Sequence, residues 1–206
     1  MGIIPDKIWY IVEIQEKILY NLNSTQLRTE SVKDMSKKSC AIIAEPPMCF
    51  RWGYDEEDER CCAFKLLLLN KLSLMQASGV TRFYVPLDAG VGIYCAEILL
   101  SLMEENRQIE LNCLQPYEDQ AAKWSPDLRD RYFSILEKCS ASALISLHKT
   151  PTCELDMLLE AIDFCEIIMP VQAVETTQDK TFATALRYAR HIGREVIVIT
   201  PPKLSF

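Results

Sequence analysis

Two histidines and six glycines are all that the 206 residues contain, and each shortage excludes a chemistry. A zinc ion held by protein alone needs three or four Cys, His or acidic ligands in a compact set. With only His148 and His191, and no CxxC pair, the chain offers no recognisable one. The scarcity of glycine goes with the absence of a G-x-G-x-x-G fingerprint and of a Walker loop. Cations are the minority charge, 22 Lys and Arg against 29 Asp and Glu, a formal net charge of -7. Surfaces that track phosphates rest on clustered cations that release counterions, so nucleic acid is not an expected partner. Long apolar runs are missing too. The most apolar end, "MGIIPDKIWYIVEIQEKILYNLN", is broken by Lys7, Glu13, Glu16 and Lys17 and has no basic n-region or cleavage site, so neither a membrane span nor a signal peptide is expected.

What is present describes an ordinary core-forming chain. Hydrophobic residues are 49% and charged ones 25%, enough apolar mass for one domain with an appendage. The nine cysteines are odd in number, and Cys62, Cys95, Cys113 and Cys165 fall inside apolar-periodic segments. They read as reduced core residues of a cytoplasmic protein rather than a disulfide framework. Ile8, Ile11, Val12, Ile18, Leu19 and Leu22 recur at helical spacing, which predicts an amphipathic helix that docks on its own domain, on a second copy or on a protein partner. Residues 1–38 are therefore read as a helical extension and linker, and 39–206 as the main domain.

From residue 39 six β-rich runs alternate with helical ones: Cys40–Ala44, Arg82–Val85, Ile109–Leu114, Ala143–Leu147, Glu166–Val171 and Glu195–Thr200. Asp55 is placed to cap the first helix, whose stripe is Cys61, Phe64, Leu68, Leu72 and Met75, Ser125-Pro126 to open another, and Gly193 to close the last. Runs such as "EVIVIT" ask for cover on both faces. The predicted architecture is a three-layer Rossmann-like α/β domain with a mainly parallel sheet of about six strands, and its ligand is expected beyond the carboxyl ends of the strands.

The stretches "WGYDEEDERCCAFK", "GVGIYCAEILL", "PYEDQAAKWS", "RYFSIL" and "ALRYARHIGREVIVI" together resemble the YpsA-like branch of the SLOG superfamily, the Rossmann-like group that includes the DNA-processing protein DprA and the Lonely Guy hydrolases. The likeness runs over about residues 40–202. It implies a nucleotide-derived ligand or nucleic acid, and carries no settled enzymatic activity for this branch. The phosphate-facing motifs of that family are eroded here. Its Thr-Gly-His-Arg-Pro is matched by Ile43, Ala44, Glu45, Pro46 and Pro47; its Ser-Gly-Met-Ala-Leu-Gly-Val-Asp by Val85 to Gly92, where Gly90 and Val91 survive and Asp88 is a new acid; and its Gly-Gly-Thr by Asp179, Lys180 and Thr181. The segment after its "TPGC", rich in His and Arg, has become the acidic and apolar "TPTCELDMLLEAIDF".

Six residues remain as ligand-site candidates. Gly90 and Gly92 would let a phosphate approach the start of a helix, where unpaired N–H groups and the helix dipole favour anions. Asp88 in the same turn either caps that helix or touches the ligand. Glu97, one turn on, is a conceivable general base. Trp124 either stacks on a base or anchors its loop, and Thr181 keeps a hydroxyl at the last helix. No residue is assigned as catalytic, and no cofactor or metal is expected; His148 follows a strand but has no Cys or Ser partner in view. The favoured expectation is a non-enzymatic regulatory or protein-interaction module, with residues 1–38 as its contact to a partner or second copy. The alternative is a binding protein or hydrolase for a nucleotide-derived small molecule.

Overall fold

The computed structural model describes residues 38–174 and 179–202. The expectations for the N-terminal helix and linker lie outside these residues, except that Lys38 already belongs to the first strand. Six strands, β1 (Lys38–Ala44), β2 (Val80–Pro86), β3 (Glu110–Gln115), β4 (Ala141–Leu144), β5 (Ile167–Val171) and β6 (Glu195–Val196), form one parallel sheet in the order β4-β3-β2-β1-β5-β6. Five helices connect them: α1 (Glu59–Ala77), α2 (Val91–Glu105), α3 (Pro126–Lys138), α4 (Cys153–Asp163) and α5 (Lys180–His191). This is the expected three-layer α/β architecture.

The layers follow from handedness. From β1 to β4 the chain steps outward one strand at a time, and right-handed crossovers keep α1, α2 and α3 on one face. It then returns past β1 to lay down β5 and β6 in the opposite direction, which sends α4 and α5 to the other face. Side chains of β1 alternate accordingly. Cys40 and Ile42 join the core with Phe64, Leu68, Ile93 and Leu99, whereas Ala41 and Ile43 join the one with Leu158, Ala161, Phe182 and Ala185. The reversal point lies between β1 and β5, and a crevice opens at such a point beyond the carboxyl ends of the strands.

Helix ends and strand edges show where local pattern was sufficient. The stripe Cys61, Phe64, Leu68, Leu72 and Met75 is buried, each such side chain contributing about 1.5–3 kcal/mol by leaving water. Ser125 Oγ accepts from Leu128 N–H at 3.4 Å, and Gly193 (φ 75°) ends α5 with its N–H on Arg190 O. Asp58, not Asp55, caps α1, its carboxylate accepting from Arg60 N–H at 2.8 Å; Asp55 accepts from Glu57 N–H at 3.1 Å in the turn before. The "EVIVIT" run is not covered on both faces. Only Glu195 and Val196 pair fully, and Val198 is 42% exposed because this strand is the edge of the sheet. All nine cysteines are free thiols, and Cys62 lies on the outer side of α1 instead of in the core.

Candidate functional site

Beyond the carboxyl ends of β1, β2 and β3 lies a cavity of about 240 Å³. Four connections build it: Ala44–Pro47 after β1, Pro86–Ala89 after β2, Pro116–Trp124 after β3, and the first turns of α4 and α5 with Glu154, Asp179 and Thr181. Tyr54, Tyr117 and Trp124 supply its aromatic walls. Trp124 meets Tyr132 edge-on at 5.3 Å between ring centroids. Tyr132 is held in turn by Gln120, whose Nε2 donates to the phenol oxygen at 3.0 Å, while the phenol donates to Gln115 Oε1 at 2.7 Å. Trp124 thus anchors its loop and still presents part of its surface to the cavity, so the two readings of it are not exclusive.

Three helix N-termini point at this space, and each carries its own carboxylate. Ahead of α2, Asp88 Oδ1 accepts from the N–H groups of Gly90 at 2.7 Å and Gly92 at 3.1 Å. Ahead of α5, Asp179 Oδ1 accepts from Phe182 N–H at 2.9 Å. The first turn of α4 holds Glu154 and Asp156. The Asp88 and Asp179 carboxylates satisfy unpaired N–H groups, while at α4 the Cys153 N–H goes to Thr150 Oγ1 at 3.0 Å and the first-turn acids act through their charge; carboxylates so placed oppose the positive end of the dipole, as a bound phosphate would. No Lys or Arg lines the cavity among the described residues. Burial pushes the Asp88 carboxyl up to about 6, with the two glycine amides opposing the rise. It has hydrogen bonds but no counterion among the described residues.

The two glycines have a packing reason. A Cβ on Gly92 would run into the Pro86 carbonyl oxygen, and one on Gly90 would come within 2.7 Å of Pro47 Cγ. The turn is therefore built of glycine because backbone and a proline ring lie against it. The surviving proline of the first motif fills the space above Gly90, where a ligand would need to approach.

Glu45, where the family has histidine, is 1% exposed and turned away from the cavity wall. Its Oε2 accepts from Ala173 N–H at 2.8 Å and its own N–H donates to Val171 O at 3.0 Å, so it ties the end of β1 to that of β5.

The YspA SLOG family model, YpsA, matches residues 50–181, well over half of the chain. The chain belongs to this family. The match begins beyond β1 and the Ile43–Pro47 stretch and ends at the start of α5. A curated relative, the UPF0398 protein BH1768 of Halalkalibacterium halodurans, is 32% identical over 73 residues, 35% of this chain and 38% of its own length. The matched segment thus spans well under half of that relative.

Among the six residues singled out in the sequence, Asp88, Trp124 and Thr181 line the cavity. Gly90 and Gly92 lie directly behind Asp88 with their amides occupied. Glu97 is elsewhere. Arg131 grips it with Nε at 2.7 Å and Nη2 at 2.8 Å, so it is no base for this site; one turn past Gly92 a helix has rotated the side chain toward α3. His148 is exposed beyond β4 and outside the cavity, as is Lys180. Tyr54, Tyr117 and Glu154 were not singled out. Tyr117 directly after β3 and Glu154 in the turn after "TPTC" stand at carboxyl ends of strands or starts of helices, and that position was the available signal.

Proposed function

We propose that this SLOG-family chain is a non-enzymatic regulatory or protein-interaction module whose ancestral phosphate-binding loops have degenerated. One observation carries the reading: every helix N-terminus around the cavity already has a carboxylate of the chain itself, and no cation lines the wall. A nucleotide phosphate entering there would meet the carboxylates of Asp88, Glu154 and Asp179, with no Arg or Lys in the wall among the described residues. Catalysis finds no support either, because Glu97 is committed to Arg131 and His148 lies outside. Partner contact is assigned to residues 1–38, on their amphipathic pattern.

Thermal unfolding of the full chain against mononucleotides, dinucleotides and ADP-ribose tests this. A ligand at a hundred times its dissociation constant would stabilise by about 2.7 kcal/mol, a rise of roughly 5–10 °C. No rise across the panel is the expected result; a rise of that size for one compound rejects the proposal. The alternative, a binder or hydrolase of a nucleotide-derived molecule, draws on the cavity itself and on the Thr181 hydroxyl and Trp124 ring at its wall. It would be recognised by the same rise and by its loss in Thr181→Ala.

A further inference from the structure

The cavity that no longer suits an anion has the walls of a cation site. We propose that it binds a small aliphatic organic amine, an inference resting on the reading that its phosphate-binding character is lost. Tyr54, Tyr117 and Trp124 offer aromatic surface, and Asp88, Glu154 and Asp179 offer carboxylates, within one space of about 240 Å³. An ammonium group is attracted by both kinds of surface, by the ring through its quadrupole and by the carboxylate through its charge. No Lys or Arg is part of the wall itself among the described residues.

An independent observation shows an ammonium already seated at the rim. The Lys149 Nζ stands 5.4 Å from the centroid of Tyr117 and 3.6 Å from Glu154 Oε1. Lys149 does not line the cavity, yet both groups it touches do. Its side chain is 65% exposed, so it is a tethered, displaceable amine and not a buried structural cation. Deeper in, Asp88 accepts both glycine amides on Oδ1 alone and Asp179 accepts Phe182 N–H on Oδ1. The second oxygen of each has no partner among the described residues. A linear diamine can place one ammonium against the Tyr117 and Glu154 wall and direct the other toward Asp88. At about 240 Å³ the space is on the scale of a small ligand, pockets for drug-sized ligands running from about 300 Å³ upward.

Isothermal titration of the full chain with 1,4-diaminobutane tests the proposal, with 1,4-butanediol as the uncharged isostere and AMP as the phosphate probe. Saturable one-to-one binding of the diamine, and none of the diol, is expected. Lys149→Met should tighten the diamine by about 3-fold or more, since it vacates the seat, and Glu154→Gln and Tyr117→Leu should each weaken it by about 5-fold. Glu154 and Lys149 are exposed, and circular dichroism of each variant checks that the fold is kept. No saturable heat up to about 10 mM diamine, in both the native chain and Lys149→Met, overturns the proposal while leaving the degenerate-pocket reading intact. Unchanged affinity in both Glu154→Gln and Tyr117→Leu overturns it as well. Binding of AMP without the diamine overturns both readings together.

Discussion

Two groups of carboxylates in this protein, one between helices and one around the cavity, are treated in opposite ways. On the flank formed by α1, α2 and α3, Arg131 bridges Glu97 and Glu56, and Lys65 reaches Glu56 at 2.5 Å and lies 4.5 Å over the Tyr94 ring. Burial pushes the Glu56 carboxyl up, but Arg131 and Lys65 outweigh it and hold the group below its ordinary range. The Arg131 guanidinium is raised in turn, by Glu97 first and with Glu56 adding to it. Around the cavity, Asp88 has amide partners but no cation among the described residues, and its carboxyl is raised by burial. Charge in the first group is matched locally and serves packing. Charge in the second has no shared cation among the described residues: Asp88 and Asp179 accept helix amides, and Glu154 lies 3.6 Å from Lys149 Nζ.

Substitutions can break this contrast, and the largest effect belongs to the turn that supports it. Gly92→Val should cost roughly 3 kcal/mol or more, or prevent folding, because the new side chain collides with the Pro86 backbone. A loss below about 1 kcal/mol in urea unfolding would reject that close approach. The same substitution is therefore no clean probe of ligand binding.

Asp88→Asn should act in the other direction. Asparagine still accepts the two amides but brings no buried charge. Because the folded carboxyl lies near 6, above its ordinary value of 3.8, the stability it contributes is full below the lower value and is lost as pH rises through the higher one. At pH 8 the variant should thus be about 1–3 kcal/mol more stable than the parent, with the gain disappearing toward pH 4. An equal gain at both pH values would show that the carboxylate is not strained by burial.

On the matched flank, Arg131→Met should lose about 1–2 kcal/mol, since it leaves Glu56 and Glu97 facing each other without their common cation. Salt should shrink that loss, and urea unfolding at low and high ionic strength reads it. Smallest of all, Glu154→Gln should change stability by no more than about 0.5 kcal/mol, as expected for an exposed first-turn acid. A larger loss would assign Glu154 to the fold instead of the cavity.

The fold was legible to the degree that its signals are local. The β1 and β5 runs, the buried face of α1 and the caps at Ser125 and Gly193 depend on a few neighbouring residues, and each is where the pattern placed it. Misses came where distant chain decides. β6 has the composition of a central strand but stands at the edge of the six-stranded sheet among the described residues, a place that depends on strand order and not on local composition. Asp55 and Asp58 are equally good caps by type, and the packing of α1 selects the second. Glu97 has the right offset from Gly92 to look into the cavity, but Arg131, 34 residues away, holds it on another face.

Residue order alone determined the alternation of strands and helices, the parallel sheet with helices on two sides, and the acids and prolines of the Ile43–Pro47, Val85–Gly92 and Asp179–Thr181 stretches. These are matters of periodicity and side-chain type. Only the tertiary structure brought those three motifs to one place. Right-handed crossovers that reverse between β1 and β5 gather the ends of β1, β2 and β3 with the starts of α2, α4 and α5, and so collect three separate acids and the rings of Tyr54, Tyr117, Trp124 and Phe182 around one cavity. An acid that reads as a helix cap in its own segment becomes part of an acidic, aromatic-walled site when charge and shape are summed across the fold.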